Sequence, residues 1–187
     1  WNQGMEKGLD AEATKFEELI LSPVSRQLIN IFFAMTDKKK NPYGEDKVKH
    51  VHRLGMIGAG FMGAGIAEVS MDDDMHVLLK DINQDMINSA YKTIYNDYNK
   101  KVLKKAMTKI ELEEKMAQLS GSLNYEDLDN QEIIIEAVFE DLKLKQNILK
   151  DVEANAKPNT IFATNTSALP IKAVAANAKN PELVIGM

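Results

Sequence analysis

The chain has 187 residues, a formal net charge of −5 and a pI near 5.3. This length suits one domain with a hydrophobic core and a smaller unit beside it. The acidic balance gives no basic surface for nucleic acid, and the absence of cysteine excludes disulfides, thiol catalysis and cysteine metal sites. The three histidines lack metal-ligand spacing with acidic neighbours. We therefore expect no nucleic-acid partner and no metal.

Residues 9–35 predict two helices that form a hairpin. Asp10 is a candidate N-cap for the first helix, while Ser22 caps the second and Pro23 is its first helical residue. Apolar residues recur at helical spacing on one side of the hairpin; they are Ala13, Phe16, Leu19, Ile20, Val24, Leu28, Ile31, Phe32 and Met35. We expect this side to cover another domain in the parent protein. In the 187-residue chain the hairpin would pack on the second domain of the same chain, pair with a second copy through residues 9–35, or fray, and we favour pairing.

Residues 36–50 are polar and contain Pro42 and Gly44, which is typical of a linker. The sequence therefore predicts a helical hairpin with its linker over residues 1–46, followed by a second domain over residues 47–187. The first residue is not methionine, so we expect the chain to be a piece of a longer protein or a processed product.

Residues 53–65 predict a strand, a tight turn and a helix in direct succession. Gly58, Gly60 and Gly63 have the spacing G-x-G-x-x-G at this turn. In a dinucleotide-binding turn the first glycine makes the bend, the second lets the backbone approach a pyrophosphate, and the third lets the helix pack close to the strand. The helix N-terminus adds free N–H groups and a positive dipole end. A glycine-rich turn without a ligand is the alternative.

Asp81 ends a second predicted strand about 20 residues after this turn, where the dinucleotide fingerprint places an acid that bonds the adenosine ribose. The alternative is a helix-capping or surface acid, since Asn83 and Asp85 also suit a helix start. The combination of turn and acid favours nucleotide binding.

Strands and helices alternate through the remainder of the chain. The predicted strands are residues 120–123, 132–138, 160–163 and 183–185. The predicted helices are residues 84–106 and 108–119, a small one that begins near Asn124, residues 140–156 and a short one from Pro170. In the first of these helices the expected buried residues are Met86, Ala90, Ile94, Val102 and Leu103. Thr108 and Glu111 predict a capping box. The fold class is α/β, a Rossmann-like doubly wound parallel sheet preceded by an N-terminal helical hairpin.

Ligands of such sheets bind beyond the carboxyl ends of the strands. Besides the glycine turn and Asp81, these ends comprise residues 138–140 and the four small polar residues 164–167. A helix-capping turn leading to Pro170 explains the second group equally well on spacing alone.

Four motifs occur along the chain in a fixed order. They are Gly58-Ala-Gly-Phe-Met-Gly-Ala-Gly-Ile-Ala67, Leu79-Lys-Asp81, Glu136-Ala-Val-Phe-Glu-Asp141 with Lys145, and Thr164-Asn-Thr-Ser-Ala-Leu-Pro-Ile171. Together they strongly resemble the NAD-binding domain of L-3-hydroxyacyl-CoA dehydrogenases. The preceding helices and linker are similar to the segment that joins the hydratase and dehydrogenase halves of the mitochondrial trifunctional protein alpha subunit.

The resemblance implies NAD as the cofactor. The implied cofactor-binding residues are Gly58, Gly60, Phe61, Met62, Gly63, Asp81, Ala137, Val138, Glu140, Lys145, Asn165 and Ser167. The glycine turn would contact the phosphates and the adenosine side, and Asp81 would hold the adenosine ribose. Glu140 and Lys145 would lie near the nicotinamide. Ser167 is the implied catalytic residue, which bonds the 3-hydroxyl of the substrate.

In that family the general base is a histidine that follows a Gly-x pair and is oriented by a later glutamate. Gly186-Met187 matches the pair, so the base is expected directly after Met187. None of His50, His52 and His76 is predicted at the carboxyl end of a strand. We therefore expect the 187-residue chain to be inactive by itself.

The resemblance implies the conversion of L-3-hydroxyacyl-CoA to 3-ketoacyl-CoA in fatty-acid β-oxidation, within a multifunctional enoyl-CoA hydratase/dehydrogenase. It also implies an acyl-CoA substrate, a mitochondrial location, a thiolase beta subunit as partner and membrane association of the parent complex. Two alternatives stay open, a non-catalytic nucleotide-binding or interaction module and a 3-hydroxybutyryl-CoA dehydrogenase. The N-terminal hairpin argues for the multifunctional chain, and a histidine with a later glutamate beyond Met187 would distinguish an enzyme from the module.

Overall fold

The computed structural model describes residues 4–38 and 49–187, and the chain divides into two compact units, Trp1–Lys49 and His50–Met187. Most of the predicted linker, including Pro42 and Gly44, lies outside the described residues. The predicted boundary between residues 46 and 47 also falls there and stays a prediction.

The first unit contains the helices α1 (Gly4–Ile20) and α2 (Pro23–Lys38). The predicted start of α2 is confirmed, because the Ser22 hydroxyl accepts a hydrogen bond from the Ser25 N–H at 3.1 Å and Pro23 is the first helical residue. The predicted cap at Asp10 is wrong. Good helix formers such as Met5 and Lys7 extend α1 towards the N-terminus, so Asp10 lies inside the helix.

The apolar side of this unit is open to solvent. Every residue of α1 is exposed, and Leu28 and Phe32 of α2 are 61% and 65% exposed. Within the described ranges, no single helix is both long and apolar enough to cross a bilayer. By length and composition alone, α1 and Pro23–Asp37 together pass that test, with a bend of 69° between them.

The second unit is built on a parallel sheet. Its strands are β1 (Arg53–Ile57), β2 (His76–Lys80), β3 (Leu119–Ser122), β4 (Ile133–Glu136), β5 (Ile161–Thr164) and β6 (Val184–Gly186). The order across the sheet is β3-β2-β1-β4-β5-β6, and all neighbouring strands are parallel. This order confirms the predicted doubly wound fold. The direction of winding reverses between β1 and β4, which is where open α/β sheets bind ligands.

Five helices flank the sheet, and short 3₁₀ turns complete the connections. The helices are α3 (Phe61–Asp72), α4 (Gln84–Leu103), α5 (Lys109–Ala117), α6 (Leu142–Asn155) and α7 (Ile171–Val174). The 3₁₀ turns are Glu126–Leu128, Ala175–Asn177 and Pro181–Leu183. The predicted capping box of α5 is confirmed, since Thr108 and Glu111 each accept a hydrogen bond from the other's backbone N–H.

The buried face of α4 differs from the prediction. Met86 and Leu103 are exposed and Val102 is half-buried, whereas the buried residues are Ile87, Ala90, Ile94 and Tyr98. The predicted buried face was out of phase by one residue at its start, where Ile87 and not Met86 is buried, and it did not include Tyr98. Tyr98 can be buried because its hydroxyl donates to the Asp72 carboxylate at 3.0 Å.

Alternate residues of the strands enter two hydrophobic clusters, one on each face of the sheet. Leu79 of β2 belongs to the cluster covered by α3, α4 and α5, while its neighbour Leu78 belongs to the cluster covered by α6 and α7. Burial on both faces is the usual condition of a parallel sheet. The polar residues near the strand ends therefore gather at the edges of the sheet.

Candidate functional site

The glycine turn after β1 requires glycine at two positions. Gly58 has φ +96°, and a Cβ there would lie 2.7 Å from the carbonyl oxygen of Ala137. A Cβ at Gly63 would lie 1.8 Å from the carbonyl oxygen of Gly58. The predicted roles of Gly58 in the bend and of Gly63 in close helix packing are therefore supported by the backbone geometry.

Gly60 faces open space. Among the described residues, no heavy atom outside its immediate neighbours lies within 4 Å of a Cβ placed on it. Gly60 is also the N-cap of α3, and it has no side chain with which to cap the N–H groups of the first turn. A ready-made anion site has these properties, since free N–H groups and the positive end of a helix dipole meet at an open surface. The turn therefore fits the pyrophosphate of a dinucleotide.

Asp81, directly after β2, is tied to the glycine turn. One carboxylate oxygen accepts a hydrogen bond from the Ala59 N–H at 2.8 Å, and the other accepts from the N–H groups of Ile82 at 2.7 Å and Asn83 at 3.2 Å. A carboxylate offers about four lone-pair positions, so capacity for a ligand hydroxyl remains. The N-cap of α4 is Asn83, not Asp81. This division of roles argues against the helix-capping interpretation of Asp81.

A buried ion pair lies behind the ends of β4 and β5. Glu136 and Lys145 are both fully buried, and the Lys145 ammonium lies 2.8 Å and 3.0 Å from the two Glu136 oxygens. The Thr164 hydroxyl donates to Glu136 Oε2 at 2.7 Å, and the Val138 N–H donates to Oε1 at 2.7 Å. A buried charge pair persists when its remaining hydrogen-bonding positions are also satisfied, as they are here.

Glu136 and Thr164 belong to the motifs that resemble the dehydrogenase family, but no role was predicted for either residue. One signal was present, because Glu136 directly follows the apolar run 133–135, and a carboxylate that is buried with such a strand needs a partner. The identity of that partner could not be deduced from spacing. The Lys145 side chain is fully buried. Towards the edge of the sheet its ammonium contacts the Glu140 carboxylate at 3.5 Å and the Asn165 carbonyl oxygen at 3.4 Å. Its cofactor-binding role stays a prediction.

Glu140 connects the loop after β4 to the loop after β5. Its Oε1 accepts hydrogen bonds from the Thr166 hydroxyl and from the Ala168 N–H. The Thr166 hydroxyl holds the pKa of Glu140 below its ordinary value, so the side chain is a carboxylate at neutral pH. Thr166 also accepts from the Leu169 N–H at 3.0 Å. The four small polar residues 164–167 thus form a local turn, which is the alternative given for them above. They also contact the Glu140 carboxylate of the neighbouring loop.

The remaining predicted site residues line the same edge. Asn165, Ala137 and Val138 are half-buried, and Ser167 is exposed. Phe61 and Met62, on the first turn of α3, are 91% and 53% exposed. The register explains this convergence, because Ile57 pairs with both Lys80 and Glu136, and Glu136 pairs with Thr164. Their binding roles stay predictions.

The histidines lie at the opposite edge. His52 precedes β1 and His76 begins β2, while the Glu132 carboxylate accepts from the N–H groups of His52 at 2.6 Å and Arg53 at 3.0 Å. All three histidines of the chain, including His50, are described and lie before the first residues of strands or at them. Among the described residues no cluster of three His, Cys, Asp or Glu side chains could hold a metal ion.

The sheet order and the turn define a dinucleotide-binding domain, which is the class of protein this second unit represents. The family model described as "3-hydroxyacyl-CoA dehydrogenase, NAD binding domain" matches residues 53–187. The chain belongs to this family. NAD is accordingly the cofactor, and the predicted dehydrogenase class is confirmed.

Two bacterial relatives match nearly the whole chain. The fatty acid oxidation complex subunit alpha of Idiomarina loihiensis is 49% identical over 188 residues, and that of Vibrio vulnificus is 44% identical over 186 residues. Each match covers 99% of this chain but only 26% of the relative, so the chain spans about a quarter of the length of these proteins. Among solved structures, 3-hydroxybutyryl-CoA dehydrogenase from Escherichia coli is 34% identical with a TM-score of 0.71, covering 74% of this chain and 29% of that one.

These relatives confirm the predicted resemblance to a multifunctional alpha subunit and correct one prediction. The expected mitochondrial location is wrong, because the matching alpha subunits come from bacteria, which contain no mitochondria. The mitochondrial alpha subunit belongs to a group of alpha subunits that also occurs in bacteria. Its motifs describe the dehydrogenase chemistry and carry no information about the compartment.

Proposed function

We propose that this chain is the NAD-binding part of an L-3-hydroxyacyl-CoA dehydrogenase that forms 3-ketoacyl-CoA in fatty-acid β-oxidation. In the parent protein it would be joined to an enoyl-CoA hydratase half. The observation that carries the proposal is the meeting of three features at one sheet edge: the open glycine turn, the Asp81 carboxylate, and the loops held by the buried pair Glu136 and Lys145.

The cofactor would lie along this edge, with its adenosine half beside β2 and its nicotinamide half beside β5. The N–H groups at Gly60 and the start of α3 would receive the pyrophosphate, and Asp81 would accept hydrogen bonds from the adenosine ribose. The bound NAD supplies the hydride acceptor for the reaction. The residues proposed for the nicotinamide side are Ala137, Val138, Glu140, Lys145 and Asn165.

Ser167 is proposed to contact the substrate. Ser167 is exposed and lies three residues after the end of β5, so its hydroxyl can bond the 3-hydroxyl of an acyl-CoA substrate and orient it towards the nicotinamide side. Oxidation of that hydroxyl requires its proton to leave as the hydride departs, which a neutral imidazole can accept near pH 7.

The proposed base follows Met187. The Met187 N–H donates to the Thr164 carbonyl at 3.1 Å, and Gly186 pairs with Thr164 across β5 and β6. The next residue of the parent chain would therefore emerge at the same edge as Ser167. A histidine at that position, oriented by a later glutamate, would complete the catalytic residues.

The relatives are named as subunits of a complex, which supports an assembly with other subunits. We propose a thiolase beta subunit as the partner that consumes the 3-ketoacyl-CoA product. Membrane association of the parent complex rests on the family resemblance alone. The hairpin of α1 and α2 would pack on the hydratase half, because its apolar side is exposed in this chain.

A 3-hydroxybutyryl-CoA dehydrogenase is the second candidate, favoured by the structural similarity to the E. coli enzyme of that name. The alpha-subunit matches extend over 99% of the chain and therefore include the hairpin, which supports the multifunctional enzyme more strongly. A non-catalytic nucleotide-binding module is the remaining alternative.

Three measurements test the proposal. Calorimetric titration of the 187-residue chain with NADH should show binding, while turnover of acetoacetyl-CoA with NADH should be absent without the base. In the parent protein, Ser167→Ala should lower kcat/KM by about 10²-fold, whereas Ser89→Ala, an exposed serine on α4, should leave it unchanged. Turnover by the 187-residue chain at the rate of the parent protein would show that the base lies within these residues.

A further inference from the structure

Glu136 is the last residue of β4, and its carboxylate is fully occupied inside the protein. Oε1 accepts from the Val138 N–H and from Lys145 at 2.7 Å and 2.8 Å, and Oε2 accepts from the Thr164 hydroxyl and from Lys145 at 2.7 Å and 3.0 Å. The side chain is completely buried. It therefore has no surface with which to contact a substrate or cofactor, and any role in the reaction must act through its neighbours.

Two of those neighbours mark the loops that face each other across the proposed nicotinamide side. Val138 lies in the loop after β4, and Thr164 is followed directly by the loop after β5. The Asn165 N–H also donates to the Glu136 carbonyl at 2.8 Å. Side chain and backbone of one residue thus determine where both loops begin.

Lys145 makes further contacts with the same two loops. Its ammonium contacts the Asn165 carbonyl at 3.4 Å and the Glu140 carboxylate at 3.5 Å, one group on each loop. Glu136 supplies the negative charge that keeps this ammonium buried at that point. Replacing a buried ion pair by apolar residues of similar volume is often neutral or stabilising, so a buried ion pair is weak evidence of a purely stabilising role.

We propose that Glu136 is a positioning residue that holds the loops after β4 and β5 in the geometry that receives the nicotinamide half of the cofactor. This inference rests on the proposed function above. The adenosine half lies on the glycine turn and Asp81, which are held by a different set of hydrogen bonds, through Ala59 and Lys80. Glu136 should therefore affect one half of the cofactor and not the other.

Titration of the 187-residue chain with NADH and with ADP-ribose isolates the contribution of the nicotinamide ring, because ADP-ribose keeps both riboses and the pyrophosphate and lacks only that ring. Glu136→Gln keeps the shape of the side chain and removes its charge. It should weaken NADH binding about tenfold, the effect of one charged hydrogen bond, and change ADP-ribose binding by less than about twofold. The matched control is Glu132→Gln. Glu132 directly precedes β4, at the opposite end of the strand from Glu136, and its substitution should leave both affinities unchanged.

Thr164→Val provides a milder second variant, which removes only the hydroxyl that donates to Glu136 Oε2. It should show a smaller loss, about threefold and again confined to NADH. Amide hydrogen exchange in residues 137–140 and 165–168 should become faster in both variants, while residues 58–63 are unaffected.

Equal weakening of NADH and ADP-ribose, or no weakening of either in both variants, would overturn the inference while the proposed function stands. Unchanged exchange in both loops would overturn it as well. If the unmodified chain binds neither NADH nor ADP-ribose, the proposed function itself fails.

Discussion

The Asp81 carboxylate accepts a hydrogen bond from the backbone N–H of Ala59 at 2.8 Å. This contact joins the residue proposed to hold the adenosine ribose to the turn proposed to hold the pyrophosphate. The two ends of the adenosine site are therefore coupled, and a change at Asp81 should disturb both.

Asp81 should make the chain prefer NAD to NADP. Its charge would face the 2′-phosphate of NADP, which should cost about 1–3 kcal/mol in a partly desolvated site. Calorimetry with both cofactors measures the ratio of their dissociation constants. Asp81→Asn should bring this ratio closer to one and weaken NAD binding. Asp85→Asn, an exposed acid on α4, is the control. Equal affinities of the unmodified chain for NAD and NADP would contradict this prediction.

Gly63→Ala and Gly65→Ala should have opposite effects on stability. A Cβ at Gly63 would lie 1.8 Å from the backbone oxygen of Gly58, so the helix and turn must move apart, and both unfolding free energy and NADH affinity should fall. Gly65 lies in the interior of α3, and among the described residues nothing lies within 4 Å of its added Cβ. Alanine there should stabilise the chain by about 0.5–1 kcal/mol. Urea unfolding checks both values, and equal effects would refute the proposed packing of the turn.

Lys145→Met should strongly destabilise the second unit. It leaves the fully buried Glu136 carboxylate without its cation, which typically costs about 3–5 kcal/mol. Adding Glu136→Gln to this variant should restore part of the lost stability, because the unpaired charge is then removed. Lys143→Met, an exposed lysine on α6, is the control for denaturant unfolding. A double variant as unstable as Lys145→Met would show that the charge pair is not the cause.

Glu132 should make the stability of the fold depend on pH in the acid range. The backbone N–H groups of His52 and Arg53 hold its pKa below the ordinary value of 4.5. A carboxyl with a lowered folded-state pKa stabilises the fold above that value and loses its contribution as the pH falls through the folded-state pKa. The Tm of the unmodified chain should therefore exceed that of Glu132→Gln at pH 7, and the difference should shrink below about pH 4.5. Glu114→Gln is the control on α5, and a difference constant with pH would contradict the prediction.

The hairpin should make the chain self-associate through residues 9–35. Exposed apolar side chains such as Leu28 and Phe32 would each gain roughly 1.5–3 kcal/mol on burial, which favours pairing with another copy when the hydratase half is absent. Light scattering should report a larger species for the 187-residue chain than for a version that begins at Lys47. Phe32→Glu should shift the full chain towards monomer. If both versions are monomeric and equally stable to heat, the apolar side does not mediate association.

Local sequence patterns predicted most of the helices and strands, but they did not predict which residues of a helix are buried. The capping box at Thr108 was predictable because it depends on residues three positions apart, and the strands were predictable from apolar runs. Tyr98 was missed because its burial depends on a hydrogen bond to Asp72, which lies 26 residues earlier on another helix. Helical spacing contains no information about such a partner.

The sequence by itself determined the order of strands and helices along the chain, the glycine spacing of the turn after β1 and the motifs of the family, because these depend on residues that are close together in the chain. Only the tertiary structure decided that Glu136, Lys145 and Thr164 form one buried network. The Thr164 hydroxyl meets Glu136 across 28 residues of chain, since β4 and β5 pair in a register that places these two residues side by side. Parallel pairing is decided by packing on both faces of the sheet, so that neighbourhood could not be deduced from the chain order.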